Sequence, residues 1–190
     1  MISTEQRQVL RDKLALYEGC IEHMYLDSNG YVTVAIGQLL ANQDAALKLP
    51  FLRQDGSAAA SSEILADYEA VRAQPAGKRA SYYGTFTQLH LTQAAMDALV
   101  DGHIDSFGAE LLRLYPDFDQ YPSQVQLGLF DMIFNLGMHK LQSGFPSFNR
   151  AVKARDWQEA ARQCHRRGIG ESRNNYVRGL FEEAAAMAPV

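Results

Sequence analysis

The chain has 190 residues, 47% of them hydrophobic and 21% charged, with a formal net charge of −4. That balance belongs to a folded globular chain and excludes a disordered or fibrous one. Net acidity argues against a general affinity for nucleic acid, and no apolar stretch approaches the roughly 18 residues of a membrane span, so neither nucleic-acid binding nor membrane insertion is expected.

At this length folding buries roughly 70% of the unfolded surface, so neither a disulfide nor a metal is needed for stability. Cys20 and Cys164 have no metal-binding spacing; buried thiols are the expectation and one long-range bridge is the alternative. The five histidines are scattered, and no metal and no cofactor are expected. Charge is unevenly spread: positions 150 to 178 carry a local +5, which leaves −9 elsewhere. Such a basic stretch is either a site for an anionic ligand or a solvated helix face. The opening residues place Glu5, Arg7, Arg11, Asp12 and Lys13 where a secretory signal needs an apolar run, so Sec-type export is not expected.

In chain order, residues 3 to 18 read as a helix capped by Ser3 or Thr4 and ended by Gly19. The period then changes to that of strands. Asn29-Gly30 between Leu26 and Tyr31 is a hairpin signal because both residues tolerate positive φ. Residues 41 to 91 show less order: a helix is predicted from about Ser62 to Gln74, then a break at Pro75-Ala76-Gly77. Thr92 caps a long helix to about Tyr115, and a second core helix runs from Pro122-Ser123 to Gly137. Helices at 145 to 154, 156 to 167 with Asp156 as cap, and 172 to 187 complete the chain. The expected fold class is α+β and mostly helical, with a small N-terminal β-hairpin sheet and a C-terminal helical lobe.

Glu18 stands at a helix end and Asp27 at a hairpin turn nine positions on, with Thr33 six further. A helix end followed by a small sheet can hold two carboxylates on opposite walls of a cleft. One would be shielded enough to stay protonated and the other ionised, as acid/base cleavage of a glycosidic bond requires. On pattern alone a helix-terminal charge and an ordinary turn aspartate are the better account of the two residues. No G-x-S-x-G and no cysteine beside an identifiable base supports a nucleophilic scheme.

The stretch from Leu16 through Glu18-Gly19, then Tyr25-Leu26-Asp27-Ser28-Asn29-Gly30-Tyr31-Val32-Thr33 to Gly37-Gln38-Leu39-Leu40, resembles the active-site segment of the T-even phage lysozymes, glycoside hydrolase family 24. The family's catalytic Glu, Asp and Thr fall on Glu18, Asp27 and Thr33. Where the family commonly has G-x-G-H, this chain has Ala35 for the first Gly and Gln38 for the His. Residues 126 to 137 are similar to the family's core helix, with its cleft-facing amide on Asn135, and 156 to 178 resemble its C-terminal helices. There the family's arginine near the catalytic Glu aligns with Arg173 or Arg178, and another register puts Asn175 in that place.

The resemblance implies a single lysozyme-like, two-lobed domain over 1–190: a helix and small β lobe at 1–60, an enlarged connection at 61–90 and a helical lobe at 91–190. It implies a muramidase that hydrolyses peptidoglycan between N-acetylmuramic acid and N-acetylglucosamine with inversion, its carboxyl groups about 6.5 to 9.5 Å apart. Glu18 would be the acid, shielded by the lobes, while Asp27 and Thr33 position water. Tyr31, Gln38, Asn135, Arg173 and Arg178 would contact the substrate. Expected partners are peptidoglycan glycan strands and, for an antibacterial effector, an immunity protein; a monomer is the default. The protein would be made in the cytoplasm and act in the bacterial periplasm or cell wall after non-Sec release or injection, as an endolysin or an effector. A lytic transglycosylase with a single Glu, or a non-catalytic wall-binding module, are the competing readings.

Overall fold

Ser3 opens the first helix with a reciprocal cap: its Oγ accepts the N–H of Gln6 at 3.2 Å, and Gln6 Oε1 accepts the N–H of Ser3 at 2.7 Å. Helix α1, Thr4–Glu18, follows in a computed structural model that describes residues 2–187. The chain divides into two compact units, one of Leu14–Asp101 and a discontinuous one of Met1–Lys13 with Gly102–Val190. The fold is mostly helical α+β, as the sequence predicts, with one small antiparallel sheet among the described residues.

In the first unit β1 (Ile21–Leu26) pairs with β2 (Val32–Ala35), which pairs with β3 (Gln38–Leu39), all antiparallel. The hairpin turns where Asn29-Gly30 signals it, but only one of the two residues takes positive φ. Gly30 takes φ 81°, but Asn29 does not enter the left-handed region, and Asp27 N–H bonds Tyr31 O at 3.0 Å around a three-residue loop. The cause is the Asp27 side chain, whose Oδ1 accepts the N–H groups of both Asn29 and Tyr31 at 2.9 Å and fixes the loop.

Residues 41–91 are more than a connection. Asn42 caps α2 (Gln43–Leu47), α3 spans Ser61–Arg72, and α4 (Ala80–Tyr83) leads into a 3-10 turn at Gly84–Phe86. Phe51, Ile64, Tyr68, Val71 and Tyr83 from this stretch share one core with Met24, Leu26, Val32 and Val34 of the sheet. Polar ties close it: buried Asp67 accepts the N–H groups of Gln88 and Leu89 at 2.9 and 3.0 Å, and Tyr68 Oη donates to Leu40 O at 3.2 Å. Burial raises the Asp67 pKa, and these two N–H bonds oppose the rise.

Helix α5, Gln93–Leu114, starts in this unit with Thr92 Oγ1 accepting Ala95 N–H at 3.1 Å and continues into the second. There α6 (Ser123–Gly144), α7 (Pro146–Lys153), α8 (Trp157–Gln163) and α9 (Glu171–Met187) build the core. Gly137, expected to end α6, does break it with φ 71° and ψ 160°, but the chain resumes a helix to Gly144. Helices α6 and α9 approach closely at Gly128, where a Cβ would lie 2.8 Å from the Phe181 ring.

Helix α8 begins as predicted, with Asp156 Oδ1 accepting Glu159 N–H at 2.9 Å, but ends at Gln163 rather than Arg167. Arg166 explains the early end, because it is drawn inside. Its Nη1 donates to Asp131 Oδ1 at 2.7 Å, and its own N–H and C=O are bonded by Asn174 at 3.1 and 3.0 Å.

Both cysteines are free thiols. Burial pushes the Cys164 thiol up to about 11 and raises that of Cys20 too, with Asp97 adding to the latter. The folded protein is therefore expected to react only slowly with a disulfide reagent at pH 7.5 and to release two thiols once denatured. Rapid titration of either thiol in the folded state would contradict these environments.

Candidate active site

Helix α1 stops at Glu18 because Gly19 adopts φ 77° and bonds back to Ala15 O at 3.1 Å, a left-handed cap that turns the chain into β1. Glu18 is thereby held at the helix end. Its side chain is exposed.

Asp27, Thr33 and Tyr31 are joined through one peptide group. The carbonyl of Tyr31 accepts Asp27 N–H and the Thr33 hydroxyl, each at 3.0 Å, while Tyr31 N–H donates to Asp27 Oδ1 at 2.9 Å. These bonds leave definite capacity. Thr33 is 2% exposed, its Oγ1 has its hydrogen committed and retains acceptor lone pairs, and Asp27 Oδ2 makes no hydrogen bond among the described residues. A water placed against both would donate its two hydrogens and aim a lone pair away from them.

Sequence reasoning overlooked Tyr25. The register sets Tyr25 directly opposite Thr33, so the two share a face of the sheet, and alternation puts Asp27 on that side as well. Burial raises the Tyr25 phenol above its ordinary range; Asp27 and Glu18 add to that rise, and a hydrogen bond with the Gly37 backbone opposes it. The phenol therefore lies within electrostatic reach of both carboxylates. The signal was the two-residue spacing of Tyr25 and Asp27.

The other expected contacts distribute unevenly. The Tyr31 ring is exposed. Gln38 pairs with Val34, so it shares that residue's side of the sheet rather than Thr33's, and its Nε2 donates to Leu39 O at 3.1 Å. Ala35, where the resembled segment has Gly, takes φ 54°, a conformation that costs a Cβ-bearing residue about 1 kcal/mol. Ala35→Gly relieves that strain but removes a methyl that is 1% exposed in the core and adds unfolded-state entropy, so no gain in stability is expected, as read by urea denaturation.

In the second unit Asn135 is half-buried on α6, two residues before the break, and its side chain makes no hydrogen bond among the described residues. Arg173 is buried at 6% exposure, with its Nε bonded to both oxygens of Asp131 at 3.1 Å. That places it inside a helix core rather than on an open surface. Arg178 is exposed and lines a cavity of about 220 Å³ with Arg162, His165 and Asn175, and its Nε lies 3.6 Å from Glu182. The basic stretch is thus partly internal, because Arg166 and Arg173 both serve Asp131.

Around the hairpin the arrangement offers an exposed glutamate, an aspartate and hydroxyl sharing one anchor, and a phenol on the strand opposite that hydroxyl. This is the equipment for moving protons in a hydrolysis. A scan against protein-family models matches no family, and a search of curated proteins finds no match.

Proposed function

We propose that the chain is a peptidoglycan muramidase that hydrolyses the β-1,4 bond between N-acetylmuramic acid and N-acetylglucosamine by acid/base catalysis with inversion. The observation that carries this reading is the Tyr31 carbonyl, which accepts from both Asp27 N–H and the Thr33 hydroxyl and so links the two side chains proposed to position the attacking water.

Glu18 gives its proton to the glycosidic oxygen as the bond to the sugar carbon breaks. Asp27 Oδ2 takes a proton from the water, and the water oxygen bonds to that carbon from the opposite face. Asp27 also stabilises the positive charge that develops on the sugar ring. At the end Glu18 is ionised and Asp27 protonated, and exchange with solvent restores both. A glycan strand lying over Glu18 would exclude water from it. In this reading the enzyme serves bacterial cell lysis, as an endolysin or as an effector whose producer needs an immunity protein.

Purified sacculi test the reading. Reducing-end disaccharide-peptides, identified by mass, support it; 1,6-anhydro products point to a transglycosylase, and sacculi bound without product release point to a binding module. Tyr25 adds a finer expectation. Tyr25→Phe keeps the ring but removes the hydroxyl near both carboxylates, so kcat should fall about tenfold with little change in KM or unfolding midpoint. An unchanged kcat would exclude the phenol from the chemistry.

A further inference from the structure

A cavity of about 530 Å³ opens within the sheet-bearing unit beside the hairpin, lined by Tyr31 but by neither Asp27 nor Thr33. Its walls come from three places in the sequence: Tyr31 at the hairpin, Asn42, Gln43 and Asp44 after β3, and Tyr68 and Arg72 of α3. Tyr68 is buried, with its hydroxyl committed to Leu40 O, and forms apolar floor. The exposed Tyr31 ring stands at the rim.

The polar groups are held in a definite way. Glu69 Oε1 accepts Gln43 Nε2 at 2.7 Å and Arg72 Nη1 at 3.2 Å, which ties the start of α2 to the end of α3 and anchors one arm of the guanidinium. Nε and Nη2 of Arg72 remain to donate, since neither bonds another described residue. Asp44 makes no side-chain hydrogen bond or ion pair among the described residues. Asn42 uses Oδ1 to cap α2, accepting Ala45 N–H at 2.9 Å, and keeps its amide hydrogens. The cavity therefore presents one anchored cation and one unengaged carboxylate, with an aromatic ring at its edge and a volume within the usual range for small ligands.

A group that answers both charges at once carries an ammonium and a carboxylate on the same carbon. We propose that this cavity binds the unlinked zwitterionic end of a diamino-acid stem peptide, with the carboxylate on Arg72, the ammonium on Asp44 and the methylene chain against Tyr31. The choice of stem peptide rests on the muramidase reading, which makes peptidoglycan the substrate. The cavity would let the enzyme prefer wall regions whose stems are not cross-linked, because a cross-link consumes that ammonium.

Calorimetric titration of the full chain tests this with three soluble probes: the stem tripeptide ending in meso-diaminopimelate, the same tripeptide ending in lysine, and free meso-diaminopimelate. Lysine keeps the distal ammonium but lacks the carboxylate. The diaminopimelate tripeptide should bind at least fivefold tighter than either other probe. Arg72→Gln should erase its advantage over the lysine tripeptide, and Asp44→Asn should weaken both tripeptides about fivefold. Both substitutions replace exposed side chains, and an unchanged unfolding midpoint checks that the fold is retained.

No binding of the diaminopimelate tripeptide, equal affinity for the two tripeptides, or a preference that survives Arg72→Gln would overturn the proposal. Free diaminopimelate binding as tightly as the tripeptide would overturn the stem assignment. Sacculus digestion separates the two readings. A protein that releases reducing ends but ignores the tripeptide loses only this inference, and one that binds the tripeptide as described but releases nothing loses only the muramidase reading.

Discussion

Asp27→Asn is expected to cut the release of reducing ends from sacculi by a factor of about 10² to 10⁴, while the protein folds and melts as the parent does. The asymmetry follows from how the carboxylate is used. Its Oδ1 only accepts, from Asn29 N–H and Tyr31 N–H, and an amide oxygen can accept the same two bonds. The other oxygen is the one proposed to take a proton from water, and an amide nitrogen in its place cannot. Asp27→Ala should match that catalytic loss and also destabilise the hairpin by about 1 to 2 kcal/mol, since two backbone donors lose their acceptor. Glu18→Gln should lose activity to a similar degree. Its side chain is exposed at the helix end, and the variant's unfolding midpoint should be read beside its activity. Sacculus digestion beside urea denaturation of all three variants decides the matter. An active Asp27→Asn protein would remove the two-carboxylate mechanism.

The largest stability loss is expected from Asp131. This carboxylate is 3% exposed and faces two buried guanidiniums, those of Arg166 and Arg173, which are 1% and 6% exposed. Removing this carboxylate takes a shared counter-charge from two buried guanidiniums at once, which typically costs about 3 to 5 kcal/mol. Against a usual total of about 5 to 15 kcal/mol for a folded protein, that is a large fraction. Asp131→Ala should shift the urea midpoint accordingly. Asp131→Asn, which keeps one acceptor oxygen, should lose somewhat less. Replacing Asp131 and Arg166 together by apolar residues of similar volume should cost less than Asp131→Ala, because the closer of the two ion pairs is then removed whole rather than broken. A midpoint unmoved by Asp131→Ala would mean the guanidiniums find other compensation.

What could be read from the sequence was local. Ser3, Thr92 and Asp156 each cap a helix by bonding a backbone N–H three residues on, and Gly19 ends one in the left-handed region. These contacts need no knowledge of distant chain. The long helices α5 and α6 carry enough apolar periodicity to be found as well.

Residues 41–91 were harder because their elements are short and their order comes from afar: α2 has five residues, α4 has four, and Asp67 is matched to N–H groups 21 and 22 positions on. Arg173 reads as one more basic residue of a charged stretch, since nothing near it signals a carboxylate 42 positions earlier. Asn29-Gly30 marked the turn correctly, but the side chain of Asp27, two residues before Asn29, set its length. Spacing suggests Glu18, Asp27 and Thr33 as a group, and the family resemblance gives each its expected role. Tyr25 needed nothing beyond the alternation of a strand.

The unit that holds α6 to α9 also includes the first thirteen residues of the chain, separated from the rest of it by Leu14–Asp101. Leu10 is buried, and Gln6 donates to Gln126 at 2.7 Å across 120 positions. On a ribosome, the first half of α1 therefore emerges long before the helices that will cover it. At about 5 to 20 residues per second the wait is on the order of ten seconds. The sheet-bearing unit, continuous in sequence, can finish folding during that interval, so vectorial synthesis gives the two units a built-in order. Until the last helices arrive, the apolar stripe at the beginning of the chain is the segment most in need of a chaperone.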